Sequence, residues 1–161
     1  MIKVLRTIRF DSSDDSVFVT PAGPDEIALS GAFAFAGIGV EDIRGKTRQA
    51  FANGFLALPS LGRATFVSVG EAKEDEVSDA VDTLARLFME DYDAPDLNTA
   101  RDAAREEVDF SCELAQGKPL NTLLTVHRTL AEEGAIHEEY REITPPGQER
   151  PHTRIWDVAD E

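Results

Sequence analysis

The chain has 161 residues, 42% hydrophobic and 29% charged, which is the composition of a globular protein and not of a disordered one. Its 31 acidic residues against 16 basic ones give a net charge of −15, which argues against nucleic acid, whose phosphates reward clustered Lys and Arg. The single Cys112 excludes an intramolecular disulfide and a cysteine-based zinc site.

No apolar run approaches the ~20 residues that span a bilayer. The opening MIKVLRTIRF lacks the apolar core of a secretory signal, so no membrane association and a cytoplasmic location are expected. The length fits one domain. We divide it into an α+β domain over residues 1–143 and an extended C-terminal arm over 144–161.

Residues 2–11 predict a strand, with Ile2, Val4, Ile8 and Phe10 alternating with Lys3, Thr7 and Arg9; Arg6 falls on the apolar side. The loop SSDDSVFVTPAGPDE carries Pro21 and Pro24 as turn signals. Residues 26–36 predict a second strand, with Ile27, Leu29, Phe33 and Phe35 on one face. Between Arg44 and Arg63 the chain then has no acidic residue at all. This island predicts a helix over about 46–57, from the helical spacing of Ala50, Phe51, Gly54, Phe55 and Leu58.

Gly45-Lys46-Thr47 sits where a phosphate-binding loop would lead into that helix. Such a loop needs its first glycine at residue 40, which is Val40, and Glu41 and Asp42 would point carboxylates at the phosphate. The motif therefore fails. Lys46, Arg48, Gln49 and Arg63 remain as ligand-binding candidates, able to hold a carboxylate or phosphate by charge-assisted hydrogen bonds. Arg6 and Arg9 would join them if their strands were neighbours. The competing outcome is that these cations pair with the many carboxylates of the chain.

Residues 63–71 predict a third strand. The helix from Lys73 to Asp91 is carried by Val77, Ala80, Val81, Leu84, Leu87 and Phe88, with Glu74, Asp75 and Glu76 in its first turn, where the helix dipole favours acids. Its other acids predict a solvated face. A second helix follows Asp96 as N-cap and ends at Gly117, with a small inner face that includes Ala100, Ala104, Val108 and Cys112. Cys112 is expected to be a core thiol.

Residues 121–131 and 135–143 predict a hairpin turning at Glu132-Glu133-Gly134. A three-residue loop sets His127 opposite Glu139, with His137 on the same face. That grouping carries the alternative reading, a small enzyme using hairpin histidines and carboxylates with metal assistance. The arm beyond holds Ile155 and the only Trp, Trp156, expected to dock on the sheet or on a second subunit as a homo-oligomer contact.

The order is thus β-β-α-β-α-α-β-β. It implies an α+β fold with a mostly antiparallel sheet of about five strands and helices packed on one face. No nucleotide, metal or cofactor motif is complete, so no cofactor and no metal are expected. The segments MIKVLRTIRFDSSD, SGAFAF, GKTRQAFANGFLALPSLGRATFV and LLTVHRT resemble a family of small uncharacterised bacterial proteins, the domain of unknown function 6505, over about residues 1–143. The resemblance implies an accessory role and assigns no residue. The resulting expectation is a non-catalytic protein that engages a partner protein or a small anionic ligand through residues 44–63.

Overall fold

The molecule is a computed structural model in which residues 1–10 and 12–143 are described. Its middle strand is β1 (Ile2–Ile8), which pairs antiparallel with β5 (Phe66–Ala72) from Ile2↔Ala72 to Ile8↔Phe66. The other side of β1 takes β2 (Ile27–Leu29). With β3 (Phe55–Leu58), β4 (Arg63–Ala64), β6 (Leu123–Leu130) and β7 (Ile136–Ile143), the sheet has seven strands in the order β4-β3-β2-β1-β5-β6-β7. Every neighbouring pair in it is antiparallel. The α-helices are α1 (Ser13–Val17), α2 (Gly45–Asn53), α3 (Glu74–Asp91) and α4 (Leu97–Gln116).

The fold is α+β as expected, but the expected five strands become seven and the element order changes in the first half. The predicted strand over 26–36 stops at Leu29. Gly31 adopts φ +73°, a left-handed conformation that ends the strand, and Ala32–Phe35 form a 3-10 turn. The predicted helix over 46–57 ends at Asn53, and Phe55–Leu58 is a strand buried at all four residues. A short apolar run does not distinguish helix from buried strand by periodicity. The predicted strand over 63–71 is split into β4 and β5, and the first loop contains α1.

The second half follows the pattern read from the residues. Asp96 caps α4 by accepting from the Thr99 backbone N–H at 2.8 Å. The hairpin pairs His127 with Glu139 and turns at Glu132–Gly134, with Gly134 at φ +88°.

The core gathers mainly into two apolar clusters. Val4, Leu29, Leu58 and Ala72 cluster with Val81 and Leu84 of α3 and with Ala104 and Val108 of α4. The alternating residues Leu5, Ala28, Phe55, Val69 and Val126 form a second cluster, which Ala115 of α4 joins. Because successive strand residues point to opposite faces, the middle of the sheet is covered on both sides. The small residues of α4 allow a close approach, and Ser111 Oγ donates to the Ala28 carbonyl at 2.6 Å. Ala104, wholly buried, should therefore not tolerate volume: Ala104→Leu is expected to cost about 1–3 kcal/mol. Exposed Glu106→Ala should stay within about 0.5 kcal/mol, both read from urea midpoints.

Candidate functional site

The basic residues divide into two groups. Arg6 lies 2.7 Å from Glu76 and 3.7 Å from Asp25, and also donates to the Glu71 carbonyl. Arg9 lies 2.7 Å from Asp15. These two cations are paired with carboxylates and do not join residues 44–63. Arg63 is different: among the described residues it has no carboxylate partner.

Arg63 belongs to a clasp built with Arg128. β6 and β5 pair only at Val67↔Leu124 and Ser68↔Leu123, and the rest of β6 runs beside α2. There Asn53 Nδ2 donates to the Val126 carbonyl at 3.0 Å. Arg128 shares the inner face of β6 with Leu124 and Val126, and its side chain is 0% exposed. Its Nη1 donates to the carbonyls of Phe51 and Gly54, each at 2.9 Å, which satisfies groups left open at the C-terminal end of α2. Its Nη2 donates to the Ser30 carbonyl, and its Nε to Glu138 Oε2 at 2.7 Å. Arg63 approaches the same backbone from β4, donating to Gly54 O at 3.2 Å and Gly31 O at 3.4 Å. The Phe35 ring lies 4.9 Å below its guanidinium, a cation–π contact.

Glu138 is the acidic end of the clasp. Burial alone would raise its pKa. Hydrogen bonds from Ser30 Oγ at 2.5 Å, from Arg128, and from Tyr140 Oη at 2.7 Å outweigh that and hold it below the usual value. Tyr140 is raised chiefly by its own burial and so stays a donor. Glu107 is raised by burial and then by the Glu138 charge. Arg63 is lowered to about 10, first by burial and then by the positive charge of Arg128, with Tyr92 offsetting part of it. It therefore remains a cation at neutral pH.

Arg63 also lines a cleft of about 270 Å³ between the segment after α1, the 3-10 turn and α2. Lys46 and Thr47 stand on one side and Thr20 on another. The remaining lining is Phe18, Val19, Phe35, Ala50 and Leu61. Among the described residues, two cations and no carboxylate, histidine or cysteine face this space.

Of the four ligand candidates, the structure brings Lys46 and Arg63 together. Arg48 and Gln49 are exposed on α2 and are not in the lining. His127, His137 and Glu139 are all exposed on the hairpin, and among the described residues no three His, Cys, Asp or Glu side chains are grouped to hold a metal ion. Cys112 packs against the core, and burial raises its thiol pKa. The arm, with Ile155 and Trp156, lies outside the described residues.

Sequence reasoning missed Ser30, Arg128, Glu138 and Tyr140. One signal was present: in LLTVHRTL, Arg128 falls on the apolar side with Leu124 and Val126, and the hairpin register sets it opposite Glu138. An arginine on a buried strand face needs a partner.

The model of a family of unknown function, DUF6505, matches residues 1–156. The chain belongs to this family. The match passes the limit near residue 143 set by the recognisable segments and reaches Trp156. No curated protein matches the chain, and no solved structure does. Among the described residues no helix is long and apolar enough to cross a membrane. The family name assigns no chemistry to the cleft or the clasp, so both stand on their geometry.

Removing one side of the clasp strands the other. Arg128→Met is expected to cost about 3–5 kcal/mol in a urea titration, because Glu138 and several carbonyls lose their donor. Glu138 is held below its usual value of 4.5, so its contribution is present above that value and lost as pH falls through and below it. The stability gap between the native protein and Glu138→Gln should accordingly be widest near neutral pH and narrow in acid, measured by denaturation at a series of pH values.

Proposed function

We propose that the protein is a non-catalytic binding protein for a small organic anion, with the cleft between α1, α2 and β4 as its site. One observation carries this reading. In a chain of net charge −15, Lys46 and Arg63 face the same cleft and no acid among the described residues faces it, while Arg6 and Arg9 are consumed by Glu76 and Asp15. Arg63 supplies a fixed planar fork, and exposed Lys46 supplies a mobile charge at the rim. Among the described residues, groups that move protons near neutral pH are missing from the lining, which favours binding over catalysis.

The accessory role implied by the family resemblance agrees with a protein that carries or senses a ligand. Lys46, Arg48, Gln49 and Arg63 form the proposed basic surface, with Lys46 and Arg63 making the contacts and Arg48 and Gln49 outside the cleft on the same helix. The hairpin histidines offer no comparable enclosure, since both residues are exposed.

A thermal-shift screen with small carboxylates tests this. A ligand at about a hundred times its Kd stabilises by about 2.7 kcal/mol, which corresponds to a rise of roughly 5–10 °C for a domain of this size. Lys46→Ala should remove most of that rise, whereas Arg48→Ala should leave most of it. No shift with any small anion would refute the proposal.

A further inference from the structure

We infer that the cleft takes a small monocarboxylate with an apolar tail, an inference that rests on the anion-binding reading above and narrows it to a ligand class. The lining is amphipathic in a divided way. Five of its nine side chains are apolar, and its charged part is one guanidinium and one ammonium. A phosphate or other compact polyanion would gain nothing from the five apolar groups. A carboxylate with a hydrocarbon tail uses both parts.

The guanidinium has already committed some of its capacity. Two of the five N–H groups that an arginine carries are engaged by Gly54 and Gly31. The remainder can hold the two oxygens of one carboxylate. One of its faces is covered by the Phe35 ring, and its free N–H groups point outward at its edge, where an anion would bind.

The apolar part is only half covered. Phe18 and Phe35 are buried, at 2% and 8% exposure, and make the floor. Val19 is 79% exposed and Leu61 36% exposed at the rim, where a tail would remove them from water. Leu61 also sits at φ +62°, a left-handed conformation that is uncommon for a residue with a side chain. That conformation sets a large apolar side chain against the cleft at a turn where glycine would be the unstrained choice. The volume of about 270 Å³ lies just under the range of drug-sized sites, roughly 300–1,000 Å³. It suits a molecule of the size of hexanoate or benzoate.

Titration calorimetry of the full chain with acetate, hexanoate, benzoate and inorganic phosphate tests this. Each added CH₂ that is buried strengthens binding about fourfold, so hexanoate should bind at least about tenfold tighter than acetate even with partial burial. Val19→Ser should weaken hexanoate severalfold and leave acetate unchanged, while Lys46→Ala should weaken both. If acetate or phosphate binds as tightly as hexanoate, the ligand class is wrong and the anion site survives. If none of the four binds, both readings fall.

Discussion

Arg128 is the residue on which the arrangement of this fold depends. A guanidinium with no exposure must find a hydrogen-bond acceptor for nearly every N–H it carries, because an unpaired buried cation is far costlier than an unpaired exposed one. The solution here is to draw three separate pieces of chain to one point. The end of β2 contributes the Ser30 carbonyl, the end of α2 contributes Phe51, the residue before β3 contributes Gly54, and β7 contributes Glu138. Glu138 comes from the strand paired with β6, but Ser30, Phe51 and Gly54 are distant from Arg128 in sequence, and β6 joins their side of the sheet only through two paired positions on β5. The clasp thus fixes how the β6–β7 hairpin and α2 sit against the rest.

The cleft is a consequence of that clasp. Once Gly54 and the Ser30–Gly31 turn are held together, Arg63 fits against the same carbonyls from the outer strand, with Phe35 beneath it. A Cβ on Gly31 would lie 2.7 Å from Arg63 Nη1 and 2.6 Å from Leu56 Cβ, so glycine is required there for space as well as for its positive φ. Two guanidiniums sharing one carbonyl and one aromatic ring repel each other, which is part of why Arg63 is easier to deprotonate than an arginine in water. Arg128 is compensated by Glu138; Arg63 is not compensated by any described carboxylate. An anion in the cleft would complete it.

The hairpin, both long helices and the Asp96 cap were legible because each rests on local rules: helical spacing, an N-cap, and a turn that sets the register of adjacent strands. The first half was legible only in part: the strand expected over 2–11 is β1 and a helix does begin near residue 46, but the other elements up to residue 71 are decided by tertiary contacts. Phe55–Leu58 has the same apolar content as a helix end and becomes a strand because it is buried between β2 and β4. The site was half legible for the same reason. The absence of acids between Arg44 and Arg63 pointed to Lys46 and Arg63, but could not separate them from Arg48 and Gln49, which lie on α2 outside the cleft. Phe18 and Val19 belong to a loop with no pattern that links it to this helix. Arg128 and Glu138 could have been found from the hairpin register, had the arginine on its apolar side been asked for a partner.

The central claim is that Arg63, which has no carboxylate partner among the described residues while Glu138 is spent on Arg128, is the anchor of a ligand cleft. A crystal structure of the protein soaked with hexanoate tests it directly. The account predicts the carboxylate within hydrogen-bond distance of the Arg63 guanidinium, Lys46 turned toward it, and the tail against Leu61 and Val19. Hexanoate bound elsewhere with this cleft empty, or a protein carboxylate found on Arg63, would contradict it.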